Sequence, residues 1–526
     1  MKLIKILFAS LFILLSCEVK SQNSTITQKT KKPNILLCVA DDATWKHMSA
    51  YGNSWASTPA FDQIAKEGLL FKNAYTPNAK CGPSRAIVLT GRNSWQLEEA
   101  ANHLAYFPKK FKSYPEALVQ QGYLVGYTGK GYAPGTALNE DGSKRELLVK
   151  AYNGIKKEVP TTGINTVDYV ENFKKFLSER KNADSPFCFW YGGHEPHRKY
   201  EYGTGVSVGN KKLSDIDKVF PYWPDNEVVR NDMLDYAFEL EYFDQQLGGM
   251  LLALDEIGEL ENTLIVVTAD NGMPFPRAKG FSYEYSNHMP LAIMWKNGIK
   301  NPGRVIEDYV SFTDFAATFL EISGYHDAEV GMQPIQGKSL VSYFNTKKTS
   351  IKKSAENYVL LGQERHDTGR PNDEGYPIRG IVKDGFLFVI NYENERWPSG
   401  NPETGYTNTD GSPTKTEIIN LNRTGENHEY WKLNFGKLPK EQLFQVSVDE
   451  FCMNNLAENP KYAALKKDLK KLLKNELKKQ NDPRMFGNGG IFESYTPDRN
   501  GKLYEKIMNR EEVKTPWINK SDIEKK

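Results

Sequence analysis

The feature that most constrains the fold is a series of short, almost wholly apolar runs that alternate with segments of helical periodicity. Runs of this kind are typical of strands buried on both faces of a sheet, and the helical segments between them are the usual connections. The strand-like runs are residues 34–39, 187–191, 264–268 and 290–295, and the helical segments are 61–67, 167–177, 233–257 and 312–322. The sequence therefore predicts an α/β fold with a sheet covered by helices.

The pattern of apolar and polar residues changes near residue 355. Residues 358–363 and 379–392 have the pattern of antiparallel strands, with Lys383-Asp384-Gly385 as a hairpin turn. Asn459-Pro460 then begins a helix with leucines on one face, for which docking on the protein is favoured over membrane binding. A chain of 526 residues is long enough for two domains. We predict a larger α/β domain at 33–355 and a smaller α+β domain at 356–526.

The N-terminus predicts export. Lys2 and Lys5 precede an apolar stretch at 6–15 that is too short to span a membrane. The stretch ends in Leu-Leu-Ser-Cys17, which resembles a bacterial lipobox with Cys17 as the lipidated residue; an ordinary signal peptide cut slightly later is the alternative. We expect a lipoprotein signal peptide at 1–17, a polar tether at 18–32 and a membrane-anchored protein in the periplasm, at the outer membrane or at the cell surface.

Charge and cysteine content limit the classes of partner. The formal net charge is only +2, which gives no argument for nucleic acid binding. Cys38, Cys188 and Cys452 have neither CxxC nor zinc-site spacing, and nothing in their spacing requires a disulfide. We expect Cys38 and Cys188 to be buried packing residues.

The most informative motif is Cys-Gly-Pro-Ser-Arg-Ala-Ile-Val-Leu-Thr-Gly-Arg at 81–92. Pro83 restricts the backbone of the residue before it, and Ser84 can cap the apolar run that follows. Cys81 is therefore expected at a helix N-terminus, where free N–H groups and the helix dipole favour an anion. Arg85 adds a planar, permanently charged guanidinium group, whose paired N–H donors suit tetrahedral oxyanions.

Two oxygen-rich pairs follow predicted buried strands. Asp41-Asp42 follows the run at 34–39, and Asp270-Asn271 follows the run at 264–268. Ligands bind at the carboxyl ends of strands in open α/β sheets. Three carboxylates and one amide suit a hard cation, so we predict calcium rather than zinc.

The motif at 81–92 resembles the signature of the type I sulfatases, C-x-P-S-R-x-x-x-L-T-G-R, and fills every specified position. In that family a maturation enzyme converts the cysteine to formylglycine during export, and the hydrated aldehyde carries the attacking hydroxyl. The resemblance implies an alkaline phosphatase/sulfatase-like mixed sheet and formylglycine at position 81. It also implies calcium held by Asp41, Asp42, Asp270 and Asn271, together with residue 81.

Further elements resemble sulfatase motifs. Lys130, in Thr-Gly-Lys130, resembles the family's lysine on the sulfate, although the usual histidine two residues later is replaced by Tyr132. Lys279 resembles a second basic residue on the sulfate. His197, in His194-Glu-Pro-His197-Arg, resembles the histidine that transfers a proton near the leaving group, and its chemistry suits that role. His194 is a candidate substrate contact.

The runs at 194–198 and 268–276 look most like the heparan N-sulfatase (sulfamidase) branch of the family. The expected activity is that of a bacterial polysaccharide sulfatase, with an algal polysaccharide such as ulvan or a glycosaminoglycan as substrate. Arg365 and His366 lie at the end of a predicted strand. They either bind hydroxyl or carboxylate groups of the sugar at the rim of the site or belong to a set of surface salt bridges. The alternatives are N-sulfoglucosamine as the specific target, a phosphoester hydrolase of the same superfold, and a non-catalytic glycan-binding lipoprotein.

Overall fold

A fully buried strand lies at the centre of a mixed eight-stranded sheet in the computed structural model, which describes residues 31–524. The strands within the described residues are β1 Asn34–Ala40, β2 Leu69–Tyr75, β3 Tyr106–Phe107, β4 Leu124–Gly129, β5 Thr136–Ala137, β6 Phe187–Gly192, β7 Thr263–Ala269, β8 His288–Met289, β9 Leu291–Met294, β10 Arg304–Ser311, β11 Tyr358–Gln363, β12 Ile378–Lys383, β13 Phe386–Asn391 and β14 Glu441–Phe444.

The strand order in the large sheet is β10-β2-β9-β7-β1-β6-β4, and β8 pairs with β2. Strands β4, β6, β1 and β7 are mutually parallel, whereas β9 runs antiparallel to β7 and β2. Because neighbouring parallel strands end at the same edge, the segments that follow β1, β4, β6 and β7 come together there. This edge carries the candidate site.

Helices flank the sheet. Within the described residues they are α1 Pro59–Glu67, α2 Cys81–Thr90, α3 Tyr114–Gln120, α4 Tyr169–Ser178, α5 Thr204–Ser207, α6 Glu227–Glu256, α7 Glu284–Asn287, α8 Asp314–Ser323, α9 Val341–Phe344, α10 Pro413–Thr424, α11 His428–Phe435, α12 Ala463–Lys479, α13 Ile491–Ser494 and α14 Leu503–Met508. The longest, α6, packs against α1, α4, α5 and α10, while α2, α3 and α8 pack together as a second group. No helix of the described part of the chain combines the length and apolar character that a membrane crossing requires.

A second, four-stranded antiparallel sheet has the order β11-β12-β13-β14. The predicted hairpin joins β12 to β13, and Asp384 and Gly385 both have positive φ (50° and 75°), as a tight two-residue hairpin turn requires. The side chain of Asn459 accepts a hydrogen bond at the start of the predicted helix, where a short 3-10 turn precedes α12. Leu469, Leu473 and Leu477 of α12 are buried against this sheet, so the helix is docked as predicted.

The predicted fold class is confirmed, and each predicted strand and helix lies within a few residues of an observed one. The large sheet ends before the predicted boundary at 355 and the small sheet begins after it, but residues from Lys32 onward form one compact unit. The signal peptide, the lipobox with Cys17 and the tether up to residue 30 lie outside the described residues. Cys38, Cys81, Cys188 and Cys452 are buried free thiols.

Candidate active site

The predicted site residues meet at the carboxyl edge of the parallel strands. Asp41 and Asp42 follow β1, and Asp270 and Asn271 follow β7. Lys130 follows β4 directly, and the loop after β6 carries His194 and His197. Cys81 and Arg85 lie in the first turns of α2, and Lys279 lies in the loop after β7.

Four acidic or thiol side chains form a cluster suited to a metal ion. One ligand atom from each of Asp41, Asp42, Cys81 and Asp270 lies within 4.8 Å of all the others, and all four residues are buried. Asn271 Nδ2 donates to Asp42 Oδ1 at 2.7 Å, and among the described residues its Oδ1 has no hydrogen-bond partner. The orphaned amide oxygen and the three carboxylates are hard donors of the kind calcium prefers. The donor set therefore fits the predicted ion.

Three cations contact these carboxylates. Lys130 Nζ lies 2.8 and 2.6 Å from the two carboxylate oxygens of Asp41. Arg85 Nε donates to Asp270 at 2.8 Å, and Lys279 Nζ donates to Asp42 at 2.7 Å. All of these side chains are in the protein interior, where charge interactions are screened less than in water.

Carboxyl groups outnumber cationic side chains in this cluster. Lys279 Nζ also donates to Asp410 Oδ2 at 2.7 Å, so four carboxyl groups, each ionised in the formal count, face three cations. The formal charge is one negative unit in excess, and a bound divalent cation would reverse it to one positive unit. A net positive cluster would attract an anionic substrate.

The ionisation of two carboxyl groups reflects this charge balance. The pKa of Asp270 is raised to about 7, because the effect of burial outweighs the opposing effect of the neighbouring Arg85 charge. Burial also opposes ionisation of Asp41, but the charges of Lys130, His197 and Arg85 outweigh it, and the pKa of Asp41 lies well below its ordinary value. The two acids therefore differ in their readiness to hold a proton.

Cys81 is the first residue of α2, as predicted, but the predicted cap is wrong. The N-cap residue is Lys80, and Ser84 lies within the first turn of the helix, where its hydroxyl bonds to that of Thr76 at 2.8 Å. Burial raises the pKa of the Cys81 thiol well above its ordinary value, and Lys130 and Lys279 do not offset it. An unmodified thiol here would stay protonated and would be a poor nucleophile.

A glycine positions Lys130. Gly129 has φ of +75°, and a Cβ at this position would lie 1.9 Å from the carbonyl oxygen of Gly192. Only glycine fits so tight a contact with the neighbouring strand. The turn brings the Lys130 backbone carbonyl to Arg85 Nη1 at 2.7 Å while its side chain reaches Asp41.

The two histidines of the loop after β6 differ in environment. His197 Nε2 lies 3.8 Å from Asp42 Oδ2, its Nδ1 lies 2.7 Å from the carbonyl oxygen of Arg198, and its side chain is 31% exposed. With Nδ1 donating to that carbonyl, Nε2 is the atom turned toward the acidic cluster. His194 is more enclosed, and burial lowers its pKa to about 4.

A cleft of about 380 Å³ opens over Cys81. Lys130, Lys279, His194 and His197 line it, whereas Arg85 is fully buried and does not belong to the described residues in its wall. The described residues in its wall that sequence reasoning missed are Lys80, His103, Leu104, Ala133, Pro134, Asp367, Asp410, Arg499, Asn500 and Trp517. Most lie far from the motif in sequence; Lys80 precedes it, Ala133 follows Tyr132, and Asp367 follows the candidate residues Arg365 and His366.

Arg365 and His366 are buried in the interior. Arg365 Nη1 donates to the carbonyl oxygen of Tyr495 at 2.8 Å, and His366 Nε2 lies 3.0 Å from Asn78 Oδ1. Neither belongs to the described residues that line the cleft; the next residue, Asp367, does. Tyr132, in the place of the usual histidine, lines an adjoining cavity of about 590 Å³ that shares Lys130, His194 and Arg499 with the cleft.

Comparison with known proteins agrees with this geometry. A family model described as Sulfatase matches residues 33–325. The chain is 28% identical over 497 residues to N-sulphoglucosamine sulphohydrolase of Homo sapiens, covering 88% of this chain and 94% of that protein. It is 28% identical over 459 residues to an ulvan-active sulfatase of Formosa agariphila, covering 86% and 81%. A solved structure described as a complex with its substrate D-glucosamine-2-N,6-O-disulfate has a TM-score of 0.62 at 20% identity, covering 89% of this chain and 100% of that one. These likenesses confirm the predicted alkaline phosphatase/sulfatase-like fold.

Proposed function

The chain belongs to the sulfatase family and is a sulfuric ester hydrolase, and from this premise we propose that it removes sulfate groups from a sulfated polysaccharide or its oligosaccharides. The feature of the site that supports this most directly is the cluster of Cys81 with three carboxylates, each contacted by a cationic side chain. One relative is named for N-sulphoglucosamine and another for ulvan. Glycosaminoglycans and algal polysaccharides such as ulvan are therefore the two candidate substrate sources.

Calcium is the proposed metal, held by Asp41, Asp42, Asp270 and Asn271 together with residue 81. Their oxygen donors suit a hard cation, and the cluster without an ion carries excess negative charge. When bound, calcium would act as a Lewis acid on a sulfate oxygen.

Formylglycine, made from Cys81 by a maturation enzyme of the same cell, is the proposed nucleophile. The raised pKa of the buried thiol supports this, because a protonated cysteine could not attack sulfur. The hydrated aldehyde supplies the hydroxyl that attacks sulfur and a second hydroxyl whose loss of a proton regenerates the aldehyde as sulfate leaves.

The chain's own side chains position and neutralise the sulfate. Arg85, Lys130 and Lys279 each bind a carboxylate of the cluster that contains Cys81, at a distance of 2.8 Å or less. Such preorganised charge stabilises a transition state without a reorganisation cost at the moment of reaction. His197 lines the cleft with Nε2 on its inner side and is the proposed donor of a proton to the departing sugar oxygen or nitrogen.

The experiment is a screen of sulfate release. The full chain, produced together with a formylglycine-generating enzyme, is incubated with defined sulfated oligosaccharides from glycosaminoglycans and from ulvan, and free sulfate is measured. We expect release from at least one class, and none from Cys81→Ala. Cys188→Ala removes another buried thiol and is the matched control, which should retain activity. Full release by Cys81→Ala would refute the assignment of the nucleophile.

The same screen decides between O- and N-sulfate. A preference for N-sulfoglucosamine over every O-sulfated sugar would establish the narrower activity that the human relative's name suggests. A preference for an O-sulfated sugar would exclude it.

A phosphoester hydrolase is the nearest alternative. A second group of potential metal ligands, Asp42, His197 and Asp410, lies beside the first. The Lys279 ammonium donates to both aspartates of that group at 2.7 Å, so a protein cation already bridges them. This favours a single metal ion and a sulfatase. We expect turnover of an aryl sulfate to exceed that of the matching aryl phosphate, and the reverse order would favour the alternative.

Export and lipid anchoring are also proposed, on the basis of the sequence at 1–17. Wild-type protein should fractionate with membranes and incorporate labelled palmitate, whereas Cys17→Ala should do neither. Palmitate incorporation into Cys17→Ala would contradict the lipobox assignment.

A further inference from the structure

The wall of the cleft has two parts of different origin. Cys81, Lys130, Lys279 and the two histidines of the loop after β6 all lie within 33–325, the range of the family model. Further wall residues come from the later part of the chain, namely Asp367, Asp410, Arg499, Asn500 and Trp517. The family range thus supplies Cys81 and the cations Lys130 and Lys279, and the later part of the chain completes the wall, with Asp410 in direct contact with Lys279.

Trp517 is a fixed, partly exposed aromatic surface in the wall of the cleft. Its Nε1 donates to the carbonyl oxygen of Thr407 at 3.3 Å, and its backbone oxygen accepts from Gly411 N at 2.7 Å. The following residue, Ile518, is buried and anchors the segment. An indole held in place by its polar edge leaves its apolar face available for contact.

Arg499 lies where the cleft joins the larger cavity, and it lines both. Its side chain is 49% exposed, and Nε and Nη2 bond to the carboxylate of Asp498, which is fully enclosed. Asp498 is fixed in turn by Thr136 Oγ1 at 2.7 Å and by its own N–H to the Leu104 carbonyl at 2.8 Å. Nη1 of Arg499 makes no hydrogen bond to the described residues, so a positioned guanidinium retains free donors.

The other cations of the larger cavity are already engaged. Arg145 is bound by Glu116 and by two backbone carbonyls, and Lys144 pairs with Glu146. Of the two cations that line both cavities, Lys130 is bound to both oxygens of Asp41, whereas Arg499 keeps Nη1 available for a ligand. Cavities of about 380 and 590 Å³ fall in the size range of ligand sites, so each has room for a ligand group.

We propose that Trp517 and Arg499 select an acidic oligosaccharide of at least two sugar units. The apolar face of the sulfated unit packs on the Trp517 ring, and Arg499 binds an anionic substituent, a carboxylate or a second sulfate, on the neighbouring unit in the larger cavity. The planar fork of arginine suits both oxyanions. This inference rests on the proposed sulfatase function and adds the class of substrate.

The test compares four probes on the mature full chain. They are D-glucosamine-2-N,6-O-disulfate alone and the same sugar linked to glucuronate, to glucose 6-sulfate or to glucose. Wild type should show a higher kcat/KM for the two acidic disaccharides than for the neutral one. Arg499→Ala should lower kcat/KM for the acidic disaccharides by about 10- to 100-fold, with a much smaller effect on the neutral disaccharide, and Arg499→Lys should restore part of the loss. The acidic disaccharide whose kcat/KM falls more in Arg499→Ala identifies the bound anion as a carboxylate or a sulfate.

Trp517→Ala should raise KM for all four probes by about tenfold, and Trp517→Phe should restore most of the affinity because it keeps an aromatic face. The matched controls are Arg510→Ala, at an exposed surface arginine, and Phe486→Ala, whose ring is 63% exposed; both should match wild type. Equal losses on acidic and neutral disaccharides for Arg499→Ala, or wild-type preference for the monosaccharide, would overturn the assignment.

Binding separates this inference from the proposed function. Titration of the four probes into Cys81→Ala measures recognition without turnover. Suppose that wild type releases no sulfate but Cys81→Ala still binds acidic disaccharides through Arg499. The proposed function is then wrong, and the role of Trp517 and Arg499 in substrate recognition is retained. If sulfate is released but substitution of neither Arg499 nor Trp517 alters binding, the recognition role of these residues is wrong and the proposed function is retained.

Discussion

Replacing Lys130 with methionine should leave the Asp41 carboxylate buried without its closest cation. Lys130 Nζ contacts both oxygens of Asp41, at 2.8 and 2.6 Å, and Asp41 is 1% exposed. The nearest remaining cation, Arg85, is farther away at 3.5 Å and is also bound to Asp270. Removing one partner of a buried ion pair typically costs about 3–5 kcal/mol. We expect a fall of this size in the free energy of unfolding of the metal-free protein.

A double-mutant cycle isolates the interaction. Asp41→Asn in the Lys130→Met background removes the orphaned charge, so the double variant should be more stable than the sum of the single losses by about 1–3 kcal/mol. Urea denaturation followed by tryptophan fluorescence provides the free energies, in EDTA so that a bound ion cannot substitute for the lysine. Lys72→Met breaks an exposed contact with Glu307 and should change little. Additivity of the single losses to within about 0.5 kcal/mol would refute the reasoning.

Three further predictions concern the proton donor, the metal and a distant acid. His197→Ala should lower kcat by about 10²- to 10⁴-fold on a glycan sulfate and by less on an aryl sulfate, whose leaving group needs less protonation; equal losses in stopped sulfate-release assays would contradict the role. EDTA should abolish sulfate release and lower the melting temperature, and calcium should restore both in wild type but not in Asp270→Asn; a metal-independent melting curve would count against the site. Burial raises the pKa of Asp244 to about 7, although it accepts hydrogen bonds from the N–H groups of Ala60 and Phe61. Because the folded protein keeps this proton while the unfolded chain loses it, wild-type stability should fall relative to Asp244→Asn between about pH 4 and about pH 7 and level off above; a parallel pair of stability–pH curves would contradict this.

Local patterns were sufficient for much of the fold. The runs at 34–39 and 264–268 predicted buried strands, because apolar residues on both faces of a strand require a covered sheet, and the structure pairs the two strands side by side. The turn at Lys383-Asp384-Gly385 was predictable from backbone preference alone, since glycine and aspartate tolerate positive φ. The cap at Ser84 was wrong because the helix begins three residues earlier, at Cys81, with Lys80 in the cap position.

The site was predictable only where sequence motifs carry its chemistry. Asp41 and Asp270 could be placed together because parallel strands end at one edge. Asp410 and Trp517 reach the same cleft through long-range packing between irregular segments, which leaves no periodic signal in the sequence. The position of Arg365 was not predictable from the strand pattern: its side chain turns into the interior, and the cleft is lined two residues later by Asp367.

The most direct test of the central claim is the mass of the peptide that contains residue 81, measured on the same preparations whose sulfate release is assayed. Preparations made with and without the maturation enzyme should span a range of conversion from cysteine to formylglycine. We predict that sulfate release rises in proportion to the aldehyde fraction and vanishes when the residue is entirely cysteine. Full sulfate release from protein whose residue 81 is an intact thiol would contradict it.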